Sequence, residues 1–268
     1  MASMVLSEVP LANLKTLSRK AFPDIKSSHL TEALACALGF RTHASLLAVL
    51  DVPATDADIV LVDELPFRQR LYDLGYKVPE NFSFEDFIEV RWGTDRKTGR
   101  AKKINVERPD AHETTLISTV CKNGPPVKYT STRAMAWRNL LVSAVNAALE
   151  RKLFTFRPED NRWPNEPSAE HRFEFTLQNG MQAAGFVRDI GFDELVLYVT
   201  AEPTDAPVRR SSEQQAGSAT GFGFLERRRG AWLQSGISNF HGTRQATAKL
   251  AEMKVMPRGY GDRGQVIM

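Results

Sequence analysis

Apolar residues recur at helical spacing through the first fifty positions of this chain and at strand spacing through the last hundred. In "ANLKTLSRKAF", Leu14, Leu17 and Phe22 gather near one face, ringed by Lys15, Arg19 and Lys20. A second helix is predicted from the Ser27-Ser28 cap, with Glu32 suiting its first turn. Leu30, Leu34, Ala37 and Leu38 form its stripe, and Gly39 is a natural stop. Thr42 caps a third helix, closed by Asp51-Val52-Pro53. "DIVLVDELP" predicts a short strand or helix start, "FRQRLYDLG" a helix closed by Gly75, and "NFSFEDFIE" a short helix capped by Ser83. "TTLISTV" at 114–120 is strand-like, and "NGPP" at 123–126 reads as a turn. The strongest helical pattern spans about 132–153, where Trp137, Leu141, Ala144, Val145 and Ala148 repeat.

After 170 the period changes. "RFEFTL" alternates Phe173, Phe175 and Leu177, and Asn179-Gly180 predicts a hairpin turn. "MQAAGFVRDI", "ELVLYVTA" and "FGFLERRRGAWLQSGI" read as further strands, and "TRQATAKLAEMKV" as a closing helix. The predicted fold is α+β: a mostly helical region 1–157, a linker 158–170, and a small antiparallel β domain 171–268 with a C-terminal helix. Its helical module covers 11–51. Three prolines in 158–167 motivate the linker. Residues 201–221, rich in Pro, Ser, Gly and Gln, are expected to form a mobile loop, and the tail from Pro257 is expected to fray.

Composition narrows the class without naming a function. At 268 residues with 42% apolar and 25% charged, the chain can fill a core and is not of disordered type. The longest apolar run, "ASLLAVL", is too short to span a bilayer, so no membrane association is expected. "MASMVLSEVPLANLK" lacks a basic stretch followed by an apolar one, so a cytoplasmic location is expected. The two cysteines, Cys36 and Cys121, suit reduced thiols rather than a disulfide framework or a zinc site.

Net charge is only +3, but it is unevenly distributed. "RWGTDRKTGRAKK" at 91–103 holds six bases and one acid, directly after the acidic "ENFSFEDFIE". Arg91, Arg96, Lys97, Arg100, Lys102 and Lys103, with Trp92, combine positive charge and a stacking ring, as phosphate contact and base stacking require. Arg227, Arg228 and Arg229 with Trp232 form a shorter version. The bland alternative for either run is ordinary solvated surface. The reading favoured is a non-enzymatic bacterial accessory protein that binds nucleic acid, or an acidic protein surface, through these clusters, with no catalytic residue and no cofactor.

Ala35 and Gly39 have the spacing of a helix-turn-helix, but "THASLLAVL" offers base edges almost nothing polar, so packing is expected instead. The stretch 18–50, with "SH" opening a helix, then "ALGF" and "ASLLA", resembles a small helical module of uncharacterised bacterial proteins, some of them related to the glyoxalase superfamily. That resemblance carries no catalytic motif. It does raise an alternative for the second half: a metal-dependent glyoxalase-like lyase or dioxygenase. "AAGFVRDIGFDEL" would then be a helix, and His171, Glu174 and His241 would be metal ligands. The chain lacks the Tyr and Leu of that family's pattern. "AHETT" lacks the second His of a zincin, and "GFGF" lacks the third glycine of a phosphate loop.

Overall fold

Strand and helix patterning separate along this chain, but each of the structure's two bodies combines helices with strands. The computed structural model describes residues 2–50, 57–88, 91–94, 101–104, 116–119, 129–157, 160, 170–191, 193–204, 207–208, 211–227, 231–235 and 240–265. The chain divides into two compact units, Met1–Thr119 and Val120–Met268. The architecture is α+β, with the N-terminal helices, antiparallel sheet and C-terminal helix in the predicted order.

The first unit begins with a strand that the patterning did not reveal. β1 (Ala2–Val5) is buried along its whole length. α1 (Glu8–Ala21), α2 (Ser27–Ala37) and a short α3 (His43–Leu47) follow, then β2 (Ile59–Val62) and α4 (Glu64–Asp73). A 3-10 turn at Phe84–Phe87 precedes β3 (Arg91–Thr94), β4 (Ala101–Ile104) and β5 (Ile117–Ser118). β1 is the middle strand of the antiparallel sheet β2-β1-β5. Lys26, not Ser27, occupies the N-cap of α2. Gly39 ends that helix at φ +85, where a side chain would be strained, and Phe40 N–H closes the turn on the Ala35 carbonyl. Thr42 and Ser45 form a reciprocal capping box on α3.

With five residues, α3 is too short to lie along a major groove, and Leu46 is buried. The helical stretch therefore packs, as its composition implied. Its core includes Leu30, Leu34, Leu71 and a cluster of rings. Phe67–Phe84 and Phe82–Phe84 centroids both lie 5.1 Å apart in edge-on geometry.

The second unit is a helix laid on a sheet. α5 (Thr132–Glu150) starts at a Ser131 cap that accepts from Ala134 N–H. β6 (Glu170–Thr176), β7 (Gln182–Gly191) and β8 (Glu194–Ala201) form an antiparallel meander. β9 (Pro207–Val208) and β10 (Ser211–Gln215) make a separate hairpin. β11 (Ala219–Glu226), β12 (Trp232–Ser235), β13 (Phe240–Gly242), α6 (Arg244–Ala251) and β14 (Gly261–Gln265) complete the chain. Sheet order is β14-β12-β11-β8-β7-β6, with β13 also on β11.

Several expectations need correction. α5 belongs with the sheet, whereas the patterning had grouped it with the N-terminal helices. The reason is its apolar face: Trp137, Leu140, Leu141, Ala144 and Val145 are buried. Segment 201–221 is not one loop; it holds β9 and β10 and the start of β11. The tail does not fray at Tyr260, which is fully buried and donates to the Val142 carbonyl, 3.2 Å away. Asp262 pairs with Arg138 Nε at 2.5 Å, and β14 runs parallel to β12. Of the expected linker, only Asp160 and Glu170 lie within the described residues. Gly180 takes φ +84, as the Asn179-Gly180 turn requires. The expected turn at 123–126 lies outside the described residues, and so does Cys121. Cys36 is a free thiol. Among the described residues no helix is long and apolar enough to cross a membrane.

Candidate functional site

Alternation gives each central strand two faces, and here the two faces differ chemically. Toward α5, β11 presents Gly221, Gly223 and Leu225; a Cβ on Gly223 would sit 3.0 Å from the Trp137 ring. The missing side chains let the helix approach, and Trp137 Nε1 donates to the Phe222 carbonyl at 2.9 Å. Phe222 and Phe224 must then project from the opposite face.

On that outer face the register builds a cross-strand row. Arg172 stands opposite Phe186, Phe186 opposite Tyr198, and Tyr198 opposite Phe222. Phe186 and Tyr198 centroids are 5.7 Å apart. Tyr198 and Phe222 stack at 5.4 Å and 30°. Phe222 meets Phe224 edge-on at 6.0 Å. The Arg172 guanidinium lies over Phe186, 5.0 Å from its centroid, and bonds Glu170 at 2.9 Å. Tyr198, Phe222 and Phe224 are half-buried, so part of each ring remains accessible.

The neighbouring row runs Glu174, Ala184, Thr200, Thr220. Gly185 faces α5, where a Cβ would meet the Phe173 ring at 2.4 Å, whereas its neighbour Ala184 faces outward with only a methyl group. The result is a dent in the sheet surface. It forms an open groove of about 450 Å³ lined by Arg172, Glu174, Phe186, Tyr198, Thr200 and Gln215. That volume is within the range of small-ligand sites. Thr200 Oγ1 donates to the Gln215 carbonyl at 2.9 Å, which ties β10 to the groove's rim. The face is electrically mixed: Glu170, Glu174, Glu194 and Glu226 share it with Arg172 and Arg188.

The residues singled out from sequence fare differently. Arg91 and Trp92 lie on β3 and Lys102 and Lys103 on β4, with Trp92 opposite Lys103 in the register. Arg96, Lys97, Arg100, Arg228 and Arg229 lie outside the described residues. Arg227 and Trp232 need correction as surface contacts, because they are 2% and 7% exposed. The Arg227 guanidinium instead donates to the carbonyls of Thr155 and Arg157 at 3.1 and 3.2 Å, with Asp189 at 3.8 Å. Its charge serves the interior.

The glyoxalase-like alternative does not assemble. "AAGFVRDI" is strand β7, not a helix, and Gly191 turns it into β8. His241 on β13 and Glu174 on β6 are four strands apart, roughly 19 Å at sheet spacing. His171 has the opposite strand parity from Glu174. No group of three or more metal-ligating side chains occurs among the described residues.

Sequence reasoning missed Phe186, Tyr198, Phe222 and Arg172 as a site. A signal existed: in "GFGF" the glycines and phenylalanines alternate, which assigns rings to one face of a strand whose other face is bare. The cross-strand register that lines those rings up could not be read from one strand alone. Comparison with protein-family models, with curated proteins and with solved structures found no match to this chain.

Proposed function

We propose that this protein is a non-enzymatic binder of single-stranded nucleic acid, with the outer face of the second unit's sheet as its stacking platform. The observation that carries the reading is the row Arg172, Phe186, Tyr198, Phe222: Tyr198 and Phe222 stack at 5.4 Å with part of each ring accessible, and Arg172 extends the row over buried Phe186. Unpaired bases stack on such side chains whatever their identity, at about 1–3 kcal/mol per base. A duplex hides those base faces, so the platform distinguishes single strands from double. Four carboxylates on the sheet face limit its attraction for a polyanion, so stacking rather than counterion release dominates. Salt dependence is accordingly shallow, with a log–log slope of about −2 or less steep.

Fluorescence anisotropy with labelled single- and double-stranded oligonucleotides of the same sequence tests this. The single strand binds and the duplex does not compete. Tyr198→Leu, which keeps an apolar side chain but removes the ring, weakens binding roughly 5- to 150-fold. No association with single strands at low salt would refute the proposal. An acidic protein surface, the competing partner, would depend on Arg91, Lys102 and Lys103 and ignore the loss of Tyr198.

A further inference from the structure

We infer that the groove beside the aromatic row selects guanine. This rests on the stacking reading above. Its basis is the order of groups around the dent at Ala184. Arg172 and Glu174 are two residues apart on β6 and point to the same face, so their side chains leave the strand about 7 Å apart. One end of the groove therefore presents a donor-only group next to an acceptor-only group. Tyr198, part of whose ring is accessible, supplies the wall for a base; buried Phe186 backs the Arg172 guanidinium, and Thr200 and Gln215 complete the lining.

Among the four bases, guanine matches that order. Its N7 and O6 are adjacent acceptors, suited to an arginine. Its N1–H and exocyclic amine are adjacent donors, suited to the two oxygens of one carboxylate. Uracil and thymine would turn a carbonyl oxygen toward Glu174, and like partial charges would repel. Adenine and cytosine offer the carboxylate a single amino group beside a ring acceptor. Glu170 holds Arg172 through Nε and Nη2, which orients the guanidinium over Phe186 and leaves Nη1 for the base.

The test uses the full chain and four oligouridine decamers that differ only at one central position, G, A, C or U, with guanosine monophosphate as a fifth ligand. The central-G strand binds roughly 5- to 150-fold tighter than the all-U strand. Glu174→Gln erases that preference and leaves all-U binding in place. Glu174 is exposed, so the variant folds, and a thermal melt confirms it. Equal affinity for all four strands, or a preference that survives Glu174→Gln, overturns base selection and leaves the platform standing. Failure of every strand to bind overturns both readings. Guanosine monophosphate competes only at far higher concentration than the central-G strand. If it competes equally well, the base pocket stands and the single-strand proposal falls.

Discussion

The two faces of the second unit's sheet obey different rules. Toward α5 the central strands are mostly aliphatic or bare: Val187, Leu195, Leu197, Val199 and Leu225 are buried and Gly223 gives the helix room, while β6 adds the buried rings Phe173 and Phe175. Away from α5 the same strands carry rings, carboxylates and a guanidinium in register; Phe186, Val196 and Thr200 are buried, while Tyr198, Phe222 and Phe224 keep part of their rings accessible. The first arrangement is what a core needs, because close packing rewards matched volume and tolerates no unpaired charge. The second is only partly a core, since Phe186 is buried but Tyr198, Phe222 and Phe224 are not fully covered. A surface that leaves aromatic area in water, bounded by polar groups, is suited to contact with something planar.

Substitutions that separate stability from binding would break or sharpen this contrast. The largest effect is expected at Arg227, which continues the inward alternation of β11 and is 2% exposed. Arg227→Met strands the Thr155 and Arg157 carbonyls and should cost about 3 kcal/mol in a denaturant melt. If binding were lost with stability unchanged, Arg227 would belong to the outer face after all. Next is Gly223→Leu, which drives a branched side chain into Trp137 and Leu141. Overpacking of that kind should cost about 2 kcal/mol, with Phe222→Leu on the outer face costing less than about 1 kcal/mol. Similar losses at both positions would mean that the outer rings are core. Tyr198→Leu should invert the pattern, with stability changed by under about 1 kcal/mol and single-strand affinity clearly reduced.

The smallest effect lies in the first unit and serves as a control that touches neither face. Lys15 Nζ sits 3.0 Å from His43 Nε2, and the His43 backbone N–H faces the Glu32 carboxylate. Partial burial first, and the neighbouring Lys15 charge second, hold the His43 imidazole below its usual pKa, against the opposing pull of Glu32. The folded state therefore resists a proton that the unfolded chain accepts near pH 6.5. The stability associated with neutral His43 is complete above that pH and declines as pH falls through the folded value. A thermal melt series from pH 7.5 to 5 should show that decline in the wild type and a smaller one in His43→Gln. Equal pH dependence in the two proteins would remove His43 as its source.

Much of the secondary structure was open to reading because it depends on local rules. Gly39, Gly75 and Gly180 mark their turns through positive φ, Thr42 and Ser83 cap through their own hydroxyls, and α5 carries its apolar stripe within nineteen residues. β1 escaped because four residues are too few for a period, and because its burial comes from β2 and β5 on either side. The tail reads as fraying because it is a chain terminus; Tyr260 and Asp262 are held by α5, more than a hundred residues away in sequence. The basic runs misled at Arg227 and Trp232, since a guanidinium near a ring reads the same whether it faces water or backbone carbonyls.

By itself, then, the sequence determined the α+β class, the caps at Thr42 and Ser83, the glycine stops at Gly39 and Gly75, and the change of period near 170. Those features follow from interactions between residues a few positions apart. The tertiary structure alone decided that α5 covers one face of the sheet, that Arg172, Phe186, Tyr198 and Phe222 line up across four strands, and that Ala184 opens a groove beside them. Each depends on the register between strands, and a shift of one residue would turn every ring to the opposite side.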